Sequence, residues 1–276
     1  MSRSVGKRAA VALAAAALVT AVAGCQDGDT GTKSSSASAT AKPGTQSAEQ
    51  AAQALRTAHT KAAEARSARV GMRLSVAGGT APGSSTFTGV QAWGPQAAEL
   101  TVSDSSYLAA IPGAPAETRV VTTGGTTYVD LGADLTARTG GKRWLKAQPE
   151  GAAAGDELML QLTGGLAAVN MDLPKELGLL AGSAAVEHLG PAKGGDVRAE
   201  AYRGKLPDGR TMEVWIGPDG FPVKSVVRAE SGGSVTSLTT TYAEYGAEAG
   251  FRAPPAGDTV DFVELLKKVL AGGGRG

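Results

Sequence analysis

The chain has 276 residues, of which 42% are hydrophobic and 19% charged, with 27 basic side chains against 26 acidic ones and a single cysteine. That is the balance of a globular protein. It excludes a basic nucleic-acid binder, a polyanion and a disulfide-stapled scaffold, so the folded part must be held by its core alone.

Arg3, Lys7 and Arg8 form a positive start, and the fifteen residues 9–23 that follow carry no charge. This is the grammar of an export signal. As a helix rising 1.5 Å per residue the run reaches only about 23 Å, short of the roughly 30 Å hydrocarbon core that a spanning helix crosses. Val22, Ala23, Gly24 and Cys25 close it, and this ending resembles the lipobox of bacterial lipoproteins. The resemblance implies a diacylglyceryl thioether on Cys25, cleavage just before it and acylation of the new amine. Two or more acyl chains hold stably where one binds reversibly, so Cys25 is expected to anchor the protein to the extracytoplasmic face of the cell membrane. Loss of Arg3, Lys7 and Arg8 takes the 27 basic residues to 24 against 26 acidic, and the net charge from +1 to −2. Alanine and glycine are abundant while asparagine occurs once, at Asn170, a skew that suggests a high-GC actinobacterial source.

Residues 26–46 are Ser, Thr, Ala and Gly with scattered charges and no large apolar side chain. Such a segment buries too little to offset the entropy of ordering, and its 21 residues have a root-mean-square span of about 25 Å. The expected organisation is a signal peptide over 1–24, a lipidated tether over 25–46, one domain over 47–271 and a frayed tail over 272–276.

Ser47 and Gln50 form a capping box that opens a helix over 47–67. Ala51, Leu55, Ala58, Ala62 and Ala65 recur on one face, giving small side chains that suit close approach to a sheet. His59 falls beside that face. His188 is the only other histidine, so both read as structural and no metal pair is expected.

From Arg69 the period changes to two. Segments 69–78, 85–94, 98–104, 118–123, 126–132 and 142–148 read as short strands broken by Gly and Pro. With no helix between them they must pair antiparallel, as a meander. Residues 156–182 then turn helical: Asp156 opens a stretch with Leu158, Leu162 and Leu166 on its apolar side, and Asp172 opens a second start with Pro174 in its first turn. This Gly-interrupted stretch reads as an adaptable cover. Strands resume over 185–190, 196–206, 210–217, 221–231 and 234–246, with Pro-Asp-Gly joints at 207–209 and 218–220 where glycine takes positive φ. Met212, Val214 and Ile216 face one way, and Thr211, Glu213 and Trp215 the other. Asp258 is expected to cap a last helix over 259–270 docked on the domain.

No catalytic motif accompanies these elements. There is no G-x-S-x-G, C-x-x-C, H-E-x-x-H, G-x-G-x-x-G or Walker loop. Asp27-Gly28-Asp29 starts like a calcium loop, but its twelfth position is Ser38 where a bidentate Glu is needed. Asp156 and Glu157 sit where they complement a helix dipole. Trp93, Trp144 and Trp215 lie in strands and read as core. No catalytic residue, metal or cofactor is expected.

The order of a lipobox, a polar tether, an Ala-rich helix, a meander carrying TTYVDLG and RWLKA, a Gly-interrupted helical stretch, DVRAEAYRGKL, VWIGPDGFPVKSVV, TYAEYG and APPAGD resembles the actinobacterial glycolipid-carrier lipoproteins of the LppX and LprG kind. These share a half-barrel fold with the LolA-type lipoprotein carriers. The resemblance covers roughly 47–258, and the IPGAPAE loop at 111–117 has no counterpart in its pattern. It implies an α+β single domain, a curved antiparallel sheet covered on its concave side by helices, with an apolar cavity for the acyl chains of a lipid or glycolipid. The inward candidates are Met72, Leu74, Val76, Leu100, Val102, Leu158, Leu162, Leu166, Met212, Val214 and Ile216. Two readings follow, for a monomer in either case. One is a carrier that binds a lipid or lipid-linked glycan; the other is a filled scaffold that binds an envelope protein partner. Catalysis ranks third.

Overall fold

The computed structural model describes residues 46–79, 82–148, 171–248 and 250–265, all within the unit Ala41–Gly276. The expectations for the signal, the lipobox with Cys25, the tether up to residue 45, the first helical start with Leu158, Leu162 and Leu166, and the tail lie outside the described residues; the last tether residue, Gln46, is described and is hydrogen-bonded to His188 and Tyr202.

The capping box predicted at Ser47 forms: the Gln50 N–H donates to Ser47 Oγ at 3.2 Å, and Gln50 Oε1 accepts the Ser47 N–H at 2.9 Å. Two orphan donors are thereby satisfied, and α1 runs over Ala48–Ala65. It stops short of the predicted Ser67 because Arg66 turns left-handed, at φ 64°, and Ser67 already belongs to the first strand.

Among the described residues twelve strands make one open sheet: β1 (Ser67–Gly78), β2 (Gly83–Trp93), β3 (Gln96–Ser103), β4 (Thr118–Thr123), β5 (Thr126–Asp130), β6 (Trp144–Ala147), β7 (Glu187–Gly194), β8 (Val197–Lys205), β9 (Thr211–Ile216), β10 (Pro222–Ser231), β11 (Ser234–Ala243) and β12 (Thr259–Asp261). Their spatial order is β12-β6-β5-β4-β3-β2-β1-β11-β10-β9-β8-β7. Two meanders, β1 to β6 and β7 to β11, are thus joined where β1 pairs with β11, from Arg69 opposite Ala243 to Gly78 opposite Ser234. Every pair is antiparallel except β12 with β6. The expected class, a curved antiparallel half-barrel with helices on its concave side, is the fold observed.

The two Pro-Asp-Gly joints take the geometry that glycine permits. Gly209 sits at φ 88° and Gly220 at φ 80°, and their N–H groups close tight turns on the Leu206 and Gly217 carbonyls at 3.0 and 2.9 Å.

Three local structures differ from expectation. Segment 126–132 does not remain extended to its end, because Gly132 takes φ 68° and donates to Asp130 Oδ1 at 3.0 Å, starting helix α3 (Gly132–Arg138). A four-residue helix α2 (Ser106–Ala109) is capped by Ser105 Oγ, which accepts the Leu108 N–H. Thr259 to Asp261 is strand β12 and not the start of a helix capped by Asp258. Asp258 Oδ1 instead accepts the Arg143 N–H, and Asp261 Oδ1 accepts the N–H groups of Val263 and Glu264. The second helical start forms as expected: α4 (Leu173–Ala181) is capped by Asp172 with proline in its first turn.

Candidate ligand-binding face

Alternation along each strand sorts side chains between two faces. On β1, Val70, Met72 and Leu74 are buried while Arg69 and Arg73 are exposed. On β9, Met212, Val214 and Ile216 are buried and Thr211, Glu213 and Trp215 are half-buried. Register carries these rows across the sheet: Met72 stands opposite Phe87, Leu100 opposite Val120, Leu74 opposite Leu238 and Met212 opposite Val227. Met72, Leu74, Leu100, Val102, Met212, Val214 and Ile216 therefore join one apolar cluster that spans both meanders. Val76, near the far end of β1, is half-buried and outside that cluster.

The cover over this face comes from α1 and α4. Ala51, Leu55, Ala58 and Ala62 of α1 and Leu173, Leu177 and Leu180 of α4 are fully buried in the same cluster. The last three recur at i, i+4 and i+7, a signal that was readable in the sequence. Trp93 ties α1 to the sheet, its Nε1 donating to the Ala62 carbonyl at 2.7 Å. At the same end Phe221 stacks on Tyr245 with ring centroids 4.3 Å apart, and Lys61 lies over the Phe221 ring while its Nζ donates to the Asp219 carbonyl.

Polar groups on the buried face were not foreseen, and each has a partner. Gln91 Nε2 donates to the Met171 carbonyl at 2.8 Å, Ser225 Oγ meets Tyr242 Oη at 2.9 Å, and Arg210 grips the Glu176 carboxylate with bonds of 3.0 and 3.2 Å. Burial pushes the Tyr242 phenol up to about 12 and the Tyr245 phenol higher still, aided by the neighbouring Tyr242. Both phenols stay protonated at neutral pH and serve as hydrogen-bonding groups. Among the described residues no cluster of three His, Cys, Asp or Glu side chains is placed to hold a metal. His59 packs beside Gly178 of α4, and His188 is taken up below.

An open cleft of about 510 Å³ lies on the opposite face of the sheet, where Gly71, Thr88, Thr101 and Thr241 form a polar floor beside Arg69. It exists because Gly71 lacks a side chain; a Cβ there would stand 3.0 Å from Thr241 Oγ1.

Two ion pairs contribute to the acid response. Burial alone would raise the Asp130 carboxyl, but hydrogen bonds from Arg143 and the Gly132 N–H, with the Arg143 charge, hold it below the ordinary range. Asp208 is likewise lowered against its burial by the Arg210 main-chain N–H and guanidinium. A carboxylate depressed in the folded state stabilises fully above its unfolded value, about pH 3.9, and that contribution fades as pH falls through the folded value. The contribution of these two carboxylates to the urea unfolding midpoint is therefore expected to hold down to about pH 4 and decline below it, and Asp130→Asn to flatten that decline. A midpoint that rises on acidification would contradict both assignments.

No family model matches the chain. It is 27% identical over 168 residues to an uncharacterized 31.2 kDa protein of Streptomyces griseus, covering 51% of this chain and 55% of that one. It is 26% identical over 146 residues to a Streptomyces coelicolor protein named a lipoprotein by inference, covering 50% and 49%. The chain thus spans about half the length of the curated relatives it matches. Among solved structures it is similar to the Mycobacterium tuberculosis lipoprotein LppX (TM-score 0.45, 14% identity, 75% of this chain and all of that one). It is also similar to LprF of Mycobacterium bovis (TM-score 0.40, 16% identity, 75% and 98%). No helix among the described residues is long and apolar enough to cross a membrane. In its motif order and its open curved sheet with a helical cover, the chain is similar to the actinobacterial lipoproteins of the LppX/LprG kind.

Proposed function

We propose that this chain is an extracytoplasmic lipoprotein, anchored through Cys25, which binds the acyl part of a lipid or glycolipid between its sheet and its helical cover and performs no catalysis. One observation carries the binding reading: a single apolar face runs through both meanders, yet α1 meets it with three alanines and one leucine. Alanine buries little area, and hydrophobic stabilisation scales with area, at about 25 cal/mol per Å². A helix held mainly by small side chains, as α1 is, parts from the sheet at less cost than one of interlocked leucines, such as α4. An acyl chain entering there replaces the lost contacts with its own.

The test is native mass spectrometry of the full mature chain, released in detergent from a lipid-rich actinobacterial host. A non-covalent adduct of one lipid per chain is expected, lost on organic extraction and reduced at least tenfold by Met72→Trp, which sets an indole opposite Phe87 on the apolar face. A chain that carries only its covalent acyl groups, and gains nothing on incubation with membrane lipids, would overturn the reading. The burial of nearly every described candidate favours the second reading in that event, a filled scaffold that docks an envelope protein.

A further inference from the structure

Gln46 is the last residue before the α1 capping box; two bonds hold that point of the chain to the free edge of the sheet, and a third, within the sheet, positions the ring that makes one of them. Its N–H donates to His188 Nδ1 at 2.8 Å, and its Oε1 accepts the Tyr202 hydroxyl at 3.2 Å. His188 Nε2 lies 2.7 Å from Glu200 Oε2. His188 is on β7, the outermost strand, and Glu200 and Tyr202 are on its neighbour β8. The imidazole is 3% exposed while the Glu200 side chain is 43% exposed, and the ring lies 5.1 Å from the Tyr202 ring, tilted by 37°.

A ring nitrogen that accepts an N–H bears no proton, so the neutral imidazole must carry its hydrogen on Nε2 and donate it to Glu200. Protonation puts a second hydrogen on Nδ1, facing the Gln46 N–H. Two donors then oppose each other, and one contact must fail. Glu200 decides which: its bond to Nε2 becomes charge-assisted and strengthens as the ring becomes cationic, so the imidazolium stays and the Gln46 N–H leaves.

We infer that His188 is an acid-released latch: at neutral pH it holds the Gln46 N–H against the β7–β8 hairpin, and on protonation it gives that bond up, leaving the Tyr202 hydroxyl as the remaining tie to Gln46. The groups facing the ring are few. From β8 come Glu200 and the Tyr202 phenol, which burial raises and which stays neutral throughout; the segment before α1 contributes the uncharged Gln46. Glu187, the neighbour on β7, is exposed and stands in register with Arg203, and Glu49 in the first turn of α1 is exposed. Helix α1 itself persists after release, because its capping box uses Ser47 and Gln50 alone. What loosens is the joint between the residue entering α1 and the sheet edge.

Hydrogen exchange on the full chain, with no lipid added, tests this separately from the proposed ligand. After correction for intrinsic rates, protection of the peptide containing Gln46 is expected to fall about fivefold between roughly pH 7.5 and pH 5.5, the equivalent of one net hydrogen bond. His188→Gln, whose side-chain oxygen accepts at every pH, is expected to abolish that fall. Should the variant fail to fold, the unaltered chain still decides by NMR: the His188 ring and the Gln46 amide must titrate with one midpoint. Protection that does not change with pH, an equal fall in His188→Gln, or an amide that ignores the ring would each overturn the latch.

Discussion

Arg210→Leu is expected to lower the unfolding free energy by about 3 kcal/mol, the low end of what breaking a buried ion pair costs. For a domain of this size that is a fall of about 6–12 °C in Tm. Glu176 is one of the few charged residues inside the cover; its side chain is 9% exposed and that of Arg210 26%. With the guanidinium gone, a carboxylate remains in apolar surroundings between Leu173, Leu177 and Leu180 with no charge to meet it. The same arginine reaches Asp208 Oδ2 at 2.7 Å and the Met171 sulfur at 3.9 Å, so it fixes the residue from which the chain enters α4. Thermal melts followed by circular dichroism measure the loss. The second variant is the stronger check: Glu176→Leu added to Arg210→Leu removes the stranded charge and is expected to recover most of the lost stability, since a buried pair and an apolar pair are nearly equivalent. A double variant no better than Arg210→Leu alone would mean that the arginine acts through packing or through Asp208, and not through the Glu176 charge.

Much of this arrangement was legible from the residues, and the parts that were not share a cause. The α1 capping box, the Asp172 start with proline behind it and the two Pro-Asp-Gly joints rest on bonds among neighbours in sequence, so local chemistry decides them. The alternation of Val70, Met72 and Leu74, or of Met212, Val214 and Ile216, marks a buried face wherever the strand ends up. What no local pattern states is the partner. Gln91, Glu176, Arg210 and Ser225 look like surface residues until register and topology bring Met171, Arg210, Glu176 and Tyr242 to them. His188 meets Gln46 across 142 positions. Helix α3 was hidden for another reason: Gly132 ends a strand by its own backbone freedom, and the helix behind it is short. Strand β12 has only three residues and is defined by pairing with β6, 115 residues away in the chain, so its hydrophobic pattern was free to read as helix.

Cys25→Ser is expected to abolish both the acylation of the chain and the removal of residues 1–24, with no change in the folded domain. A single acyl chain gives a membrane association constant of about 10⁴ M⁻¹, and a second chain of about fifteen methylenes adds on the order of 10 kcal/mol at about 0.8 kcal/mol each. The doubly or triply acylated cysteine that the lipobox implies is therefore an anchor that does not let go on the timescale of a fractionation. Serine offers no thiolate for the thioether, so the modification and the cleavage that follows it in such proteins both fail. Two readouts separate anchoring from mere association. Radiolabelled palmitate is expected to enter the unaltered chain and to be absent from the serine variant, and the intact mass is expected to show the loss of residues 1–24 only in the former. Because the uncleaved variant keeps its apolar run 9–23, membrane sedimentation alone would not distinguish the two, whereas label and mass do. Equal labelling of both chains would place the acyl group elsewhere. Cleavage without labelling would make this an ordinary secreted protein, and the proposed acyl-binding face would then have to collect a ligand from solution or from a partner without the help of a tether.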